Sequence, residues 1–204
     1  TDTAKTIEHS ALMQLTPKPD AVMVRGRGSY LWDEQGRRFL DFVQGWAVNS
    51  LGHCPDVVQR ALSEQAAELI NASPGFHNRP SLEFARELVA VSGQSRACFC
   101  STGAEANEGA IKLARKWGAL HKQGAHEIIT LEGSFHGRSL ATMAASGKPG
   151  FAERFPPKMP GFVHVGENRH AQRRADLGKD RQRLLQPDAA GGGNAGAVGL
   201  VERG

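Results

Sequence analysis

The most informative segment for the fold is Ser101-Thr102-Gly103-Ala104-Glu105-Ala106-Asn107-Glu108. A short apolar run at 97–100 precedes it and predicts a strand, and apolar residues at helical spacing predict a helix over 104–121. Beyond that helix, 127–131 is rich in β-branched residues and predicts a second strand. Strand, tight turn, helix and strand form a βαβ unit, which builds a parallel sheet with a right-handed crossover. The sequence therefore predicts an α/β fold.

Further elements are predicted on the amino-terminal side of this unit. Apolar residues at helical spacing predict helices over 55–70 and 81–92. Valines and aromatic residues, interrupted by the turn Asp33-Glu34-Gln35-Gly36, predict an antiparallel β-meander over 21–43. Between meander and helix, glycines bracket an apolar strand that ends at His53. We interpret His53 as a loop residue, because no second ligand stands at a spacing that suits a metal.

The composition changes at about Gly166. Residues 166–204 contain no Phe, Trp or Tyr and include the run Gly191-Gly192-Gly193. Arginines and lysines crowd a segment with little apolar periodicity, which cannot bury enough surface to offset the entropy of folding. We expect 166–204 to be a disordered tail.

Charge and cysteine content exclude several classes of protein. The net charge is +4, but the 25 Lys and Arg residues of the 204 are scattered, which indicates a solvated surface and no nucleic-acid partner. A chain without a long apolar stretch or a signal-like start is expected to be cytoplasmic and to have no membrane partner. Cys54, Cys98 and Cys100 lack the spacing of a zinc site, so we expect reduced thiols in the core and no metal.

The turn at Ser101–Glu108 is a candidate anion site. Its small residues let the backbone approach a ligand, and the first amides of the following helix point outward with the positive end of the helix dipole. Thr102 adds a hydroxyl donor, so a phosphate group is the natural ligand. Plain amino-terminal capping of the helix explains the same residues, and both interpretations stay open.

A second candidate is the loop Ser134-Phe135-His136-Gly137-Arg138, directly after the second strand. Loops at the carboxyl edge of a parallel sheet carry the ligand sites of α/β proteins. Phe135 has a face on which a planar ring could stack, and Arg138 could hold a carboxylate with two hydrogen bonds. The alternative is an ordinary loop with a buried phenylalanine and a surface arginine.

Taken together and in this order, the blocks resemble the class III aminotransferases of fold type I. The resemblance runs from Asp20 to about Val165 and includes three motifs. These are Leu40-Asp41-Phe42 with Leu51-Gly52-His53, Thr102–Glu108 with Lys112-Leu113-Ala114-Arg115, and Ser134–Arg138. Within the class, Ala47-Val48-Asn49 and Phe135-His136-Gly137-Arg138 are most similar to the acetylornithine type.

The resemblance implies a cofactor, a substrate class and an assembly. Thr102, Gly103 and Ala104 are expected to bind the phosphate of pyridoxal 5'-phosphate. Phe135 would lie against its ring with His136 beside it, and Arg138 would hold the carboxylate of acetylornithine or of 2-oxoglutarate. Members of this family are homodimers, and the acetylornithine type acts in arginine biosynthesis. The expected domains are an amino-terminal segment at 1–54, part of the cofactor-binding large domain at 55–165, and the tail.

The family also needs a Schiff-base lysine and an acidic partner for the ring nitrogen, both downstream of the aromatic loop. None of the lysines present stands in that context: Lys5, Lys18, Lys112, Lys116, Lys122, Lys148, Lys158 and Lys179. We therefore expect no catalytic residue here, and interpret the departure near Val165 as a change of reading frame with early termination. The alternative to a transaminase is a non-catalytic phosphate-ligand binder or an inert fragment.

Overall fold

The computed structural model describes residues 12–13 and 15–166, together with the backbone of Arg183–Leu185. Two compact units are present. The first contains the described residues up to Gln44 together with Asn49–Ser63, and the second contains Gly45–Val48 and the described residues from Glu64 onward.

The first unit is built on a three-stranded antiparallel sheet of β1 (Met23–Arg27), β2 (Tyr30–Asp33) and β3 (Arg38–Leu40) in sequence order. The predicted meander is therefore confirmed. Asp33 closes the β2–β3 turn, because its buried carboxylate accepts hydrogen bonds from the Arg37 backbone at 2.8 Å and the Arg37 guanidinium at 2.7 Å. Burial raises the pKa of Asp33, but the hydrogen bonds and charge of Arg37 outweigh it, so the net pKa lies below its ordinary value.

The segment after β3 is held by Asp41. One carboxylate oxygen accepts from the backbone amides of Val43 and Gln44 at 2.9 and 3.0 Å, and the other lies 2.7 Å from Nε2 of His53. The Gln44 amide, followed by His53, lowers the pKa of Asp41. His53 also forms an antiparallel bridge with Gly28. The loop role predicted for His53 agrees with these contacts.

The apolar strand predicted within Gly45–His53 is wrong. Gln44–Ala47 forms a single turn, α1, with positive φ at all four residues. Left-handed backbone costs an L-residue about 1–2 kcal/mol. The backbone amides of Val43 and Gln44, at the entrance to this turn, donate to the Asp41 carboxylate. The chain therefore bends before a strand can begin.

The predicted helices are present with small shifts at their ends. α2 spans Asp56–Glu68, α3 spans Arg79–Ser92 and α4 spans Gly103–His121. Asn78 caps α3 by accepting a hydrogen bond from the Ser81 amide at 2.9 Å. Gly93 ends α3 at φ 67°, a left-handed conformation that glycine adopts without steric cost.

A parallel sheet lies in the second unit, in the order β5-β4-β6. β4 (Glu127–Leu131) is central, and β5 (Phe162–Val165) and β6 (Arg183–Leu185) pair with it. The α/β class and the strand at 127–131 are thus confirmed. The disorder predicted for 166–204 falls almost entirely outside the described residues, except that β6 lies within it.

The strand predicted at 97–100 is wrong, since this segment has irregular backbone. A strand needs ladder partners for its N–H and C=O groups. Among the described strands, β4 pairs with β5 and β6, and no pairing reaches 97–100. The strand propensity of four residues does not hold an extended conformation without a neighbour.

The core of the second unit is small and lies between α4, β4 and a short helix α5 (Leu140–Ala145). Its buried members are Ile111, Ile128, Ala141 and Ala145, against which Ala114, Met159 and Phe162 pack. Of the large apolar residues of α4, Ile111 is buried, whereas Leu113, Trp117 and Leu120 are 40%, 40% and 64% exposed. The described residues cover one side of α4 only.

The cysteines were expected in the core, and this expectation is wrong: Cys54, Cys98 and Cys100 are free thiols on exposed residues. For Cys98 and Cys100 the reason is the missing strand, because a segment outside the sheet has no layer packed over it. Within the part of the chain that the structure describes, no helix is both long and apolar enough to span a bilayer.

Candidate functional site

The amino terminus of α4 is closed by two hydrogen bonds. Thr102 Oγ1 accepts from the Glu105 amide at 3.1 Å, and the Glu105 carboxylate accepts from the amide of Ser101, one residue before the cap, at 2.7 Å. These bonds satisfy two amides and leave those of Gly103 and Ala104 at the start of the helix without an intrahelical acceptor. The hydroxyl hydrogen of Thr102 stays available, because the capping bond uses only the oxygen. The turn therefore presents two amides and a hydroxyl to an anion.

The loop after β4 lies against this helix end. Gly137 is buried at φ 137°, and a Cβ built on it would lie 2.9 Å from Cβ of Ala104 and 2.6 Å from Oγ1 of Thr142. Only glycine allows so close an approach in this backbone conformation. The structure thus brings Ala104 and the 134–138 loop together, at the edge where β4 ends.

A network of hydroxyl groups, formed by Ser139, Thr142 and Ser146, holds the loop in place. Ser139 donates to the Glu108 carboxylate of α4, and its Oγ lies 2.7 Å from Oγ1 of Thr142. Ser146 donates to the Thr142 carbonyl at 2.8 Å and accepts from the His136 amide at 2.9 Å. The network therefore connects α4, α5 and the loop.

His136 is the most constrained residue of the loop. The backbone carbonyl of His136 accepts a hydrogen bond from the buried Asn107 side chain at 2.7 Å, and its backbone amide donates to Ser146. His136 is only 6% exposed. Nδ1 lies 3.4 Å from the Ser134 hydroxyl. Each such bond contributes about 0.5–1.5 kcal/mol, and leaving a buried partner unsatisfied costs about 1–3 kcal/mol. The backbone just before Gly137 is therefore hydrogen-bonded both to α4 and to the residue that follows α5.

Phe135 is 42% exposed, so the alternative of a buried phenylalanine does not hold. Its ring centroid lies 6.1 Å from that of Phe151, and the Lys148 ammonium lies 5.1 Å from the ring centroid. A planar ligand has to use the other face of the ring, or displace Lys148. That Phe135 shares one pocket with Gly103 and Ala104 stays a prediction.

Arg138 is exposed, but its backbone is fixed between two anchored neighbours. Gly137 packs on Ala104, and Ser139 is bonded to Glu108. The backbone of Arg138 is therefore held against α4 on both sides of the residue. Its predicted position at the mouth of a pocket stays a prediction.

Sequence reasoning missed the residues that hold this arrangement. Asn107 and Glu108 stood in the helix motif with no role of their own, and the hydroxyl network was not recognised. Serine and threonine at 139, 142 and 146 recur at helical spacing on one face, which is the pattern that could have revealed them.

Comparison with known proteins identifies the family. Residues 14–187 match the family model "Aminotransferase class-III". The matched range includes β6 and continues past Val165, so the resemblance extends further along the chain than the motifs alone predicted. The chain belongs to the class-III aminotransferases.

Individual relatives give a finer comparison. The chain is 58% identical, over 75% of its length, to acetylornithine aminotransferase 2 of Bordetella bronchiseptica, and 40% identical, over 92%, to acetylornithine aminotransferase of Methanocaldococcus jannaschii. It superposes on an ornithine aminotransferase from Toxoplasma gondii with a TM-score of 0.77 at 28% identity, covering 87% of this chain and 42% of that one. That structure is described as having partial occupancy of PLP (pyridoxal 5'-phosphate) at the active site. The chain spans 39% of the Bordetella protein and 48% of the Methanocaldococcus protein.

Proposed function

We propose that this chain forms the cofactor-binding part of a pyridoxal-phosphate-dependent transaminase. The amino group would move between N-acetylornithine, or a related ω-amino acid, and 2-oxoglutarate, as in arginine biosynthesis. The observation that carries the proposal is the close packing of Gly137 on Ala104, because it joins an anion-binding helix end to a loop with an aromatic ring and an arginine. The names of the Bordetella and Methanocaldococcus relatives support the substrate class.

The phosphate of the cofactor fits the amino terminus of α4. The amides of Gly103 and Ala104 and the hydroxyl of Thr102 are hydrogen-bond donors, and the helix dipole favours a dianion there. Glu105 and Glu108 are acidic, but their carboxylates accept from Ser101 and Ser139 respectively. Those hydrogen bonds draw the two negative charges toward the protein and away from the ligand.

The remaining loop residues suit the rest of the ligand. When bound, pyridoxal 5'-phosphate supplies the conjugated ring that takes up the electron pair released during amino transfer. We assign the exposed face of Phe135 to that ring and His136 to its side. Arg138 is assigned to the carboxylate of the amino donor or of the 2-oxo acid, since a guanidinium forms two parallel hydrogen bonds with a carboxylate. The proposed assembly is a cytoplasmic homodimer, as in the family.

A binding experiment tests the phosphate assignment. The affinity of the purified chain for pyridoxal 5'-phosphate is compared with that for pyridoxal, which lacks the phosphate. Charge-assisted hydrogen bonds are worth about 1.5–3 kcal/mol, so we expect the phosphate to strengthen binding at least about tenfold. Thr102→Ala should reduce this ratio and Thr102→Ser should restore it. Equal affinity for the two compounds would contradict the assignment.

Whether this chain catalyses transamination by itself depends on whether it has a lysine that can form the Schiff base. Among the described residues, Lys148 contacts the loop, but its ammonium faces Phe135 as a cation–π partner. We expect no transamination of acetylornithine by this chain and no stoichiometric adduct after borohydride trapping with pyridoxal 5'-phosphate. Lys122, which lies 5.8 Å from the Trp117 ring, gives a matched surface control for labelling. Turnover together with a single trapped lysine would show that the chain is catalytically sufficient.

The same experiments separate a cofactor-binding chain from an inert one. The capping geometry at Thr102 favours binding of a phosphate ligand whether or not chemistry follows. Tight phosphate-dependent binding without turnover is the result expected of the proposed cofactor-binding part, and a non-catalytic phosphate-ligand binder would show it as well. Absence of both binding and turnover supports an inert fragment.

A further inference from the structure

We propose that Glu108 is a positioning residue of the cofactor site, which acts through Ser139 to hold residues 137–139 against α4 while its own negative charge opposes phosphate binding. This inference rests on the proposed function, because it concerns the site assigned there to pyridoxal 5'-phosphate. It gives Glu108 two effects that can be measured separately.

The first effect comes from a chain of hydrogen bonds that ends at Glu108. Ser139 donates to the Glu108 carboxylate, and Ser139 Oγ lies 2.7 Å from Oγ1 of Thr142. An ionised carboxylate can only accept, so the single hydroxyl hydrogen of Ser139 is used toward Glu108 and Thr142 is the donor toward Ser139. Thr142 is fully buried, and a Cβ built on Gly137 would lie 2.6 Å from its Oγ1. The carboxylate therefore orders the two hydroxyl groups that adjoin the Gly137 backbone.

The contacts of the loop follow one side of α4. Ala104 and Glu108 are four residues apart in the helix, so they lie on the same side and about one turn apart. Gly137 packs on Ala104, and Ser139 is bonded to Glu108. Residues 137–139 thus run beside the first turns of α4, and Glu108 anchors the end of that contact.

The second effect comes from the charge of Glu108. Glu108 follows Gly103 by five positions, which places it about 7.5 Å further along the helix axis. At roughly that distance in water, a unit negative charge weakens the binding of a dianion about two- to fivefold at low salt. The anchor and the charge therefore act in opposite directions on cofactor binding.

Amide hydrogen exchange measures the anchor without any ligand. The amides to follow are those of His136 and Met143, which donate at 2.9 and 2.7 Å to groups of the loop and α5. Both should exchange about two- to tenfold faster in Glu108→Ala and in Ser139→Ala, because one hydrogen bond of the chain is lost. Glu108→Gln and Ser139→Thr keep the acceptor and the hydroxyl, so they should exchange at the parent rate. The Ile128 amide of β4 is the reference for unfolding of the whole chain.

The affinity for pyridoxine 5'-phosphate measures the charge. This compound lacks the aldehyde, so it does not react with surface lysines. Glu108→Gln should bind it about two- to fivefold more tightly than the parent, and the difference should vanish in about 1 M salt, where the screening length is about 3 Å. Glu64→Gln removes the same charge from an exposed position in α2, outside the hydrogen-bonded chain, and should change the affinity less than about twofold. Pyridoxine, which has no phosphate, should bind the parent and Glu108→Gln equally.

The outcomes separate this inference from the proposed function. A parent chain that binds pyridoxine 5'-phosphate no better than pyridoxine would refute the phosphate assignment and this inference with it. With phosphate-dependent binding in the parent, an unchanged or weaker affinity in Glu108→Gln would overturn the inference alone. Exchange of His136 and Met143 at the parent rate in Ser139→Ala would do the same, and so would an equal acceleration at Ile128, which indicates a general loss of stability.

Discussion

Gly137 is the residue at which the packing of the site can be tested most directly. In Gly137→Ala, the new Cβ would meet Thr142 Oγ1 at 2.6 Å and Ala104 Cβ at 2.9 Å, in a backbone at φ 137°. Neither neighbour can move aside easily. Thr142 is buried and hydrogen-bonded to Ser139, and the Ala104 methyl group is fixed to the helix backbone.

The magnitude follows from three contributions. A backbone conformation that alanine rarely adopts costs about 1–3 kcal/mol, and overpacking costs about 1–3 kcal/mol. The lower entropy of the unfolded alanine chain offsets about 0.4–1 kcal/mol. The free energy of unfolding should therefore fall by roughly 3 kcal/mol, within limits of about 1–6 kcal/mol.

Alanine substitutions at two other glycines measure these contributions separately. Gly150 has φ +68° with open space around its Cβ position, so Gly150→Ala should show the backbone strain without overpacking, at about 0–2 kcal/mol after the same entropy offset. Gly109 lies within α4, also with open space, and Gly109→Ala should stabilise the chain by about 0.5–1 kcal/mol.

The assay is urea unfolding followed by circular dichroism, with pyridoxal 5'-phosphate affinity measured on each variant. A loss of about 3 kcal/mol lowers the midpoint by roughly 1–3 M at the usual urea dependence. The affinity should fall in Gly137→Ala and stay unchanged in Gly109→Ala. A Gly137→Ala chain within about 0.5 kcal/mol of the parent, or no less stable than Gly150→Ala, would refute the proposed contact with α4.

Three further predictions concern single interactions. Asn107→Ala should lower the free energy of unfolding by about 1–3 kcal/mol, because it removes the hydrogen bond to the buried His136 carbonyl; in the same urea titration, the exposed-site control Lys116→Ala should change it by less than about 0.5 kcal/mol. Thr102→Ala should cost about 0.5–2 kcal/mol through loss of the cap, and an unchanged helix content and midpoint would contradict this. Because the pKa of Asp41 is lowered in the folded state, its stabilising contribution is complete above its ordinary value of 3.8 and is lost as the pH falls further. The midpoint of urea unfolding should therefore decline from about pH 6 to about pH 2, and the decline should be smaller in Asp41→Asn than in the parent chain. Identical pH profiles for the two chains would count against the contribution of Asp41.

The local features of the chain could be predicted from sequence because their causes are local. The β2–β3 turn depends on Asp33 and the glycine at 36, and the start of α4 depends on Thr102 and Glu105 within one helical turn. The helical spacing of apolar residues predicts the ends of α2, α3 and α4 to within a few residues. The family motif then indicated that Ala104 and the 134–138 loop belong to one site.

The capping residues, the helices and the meander arise from neighbours along the chain, so the sequence alone predicts them. Whether 97–100 pairs with β4, and whether its cysteines are buried, depends on distant segments, and these outcomes come from the tertiary structure. It also decided how Asn107, Ser139 and Ser146 hold the loop. Hydrogen bonds between residues some ten to thirty positions apart in sequence leave no local pattern, and they form only when folding brings α4, α5 and the loop together.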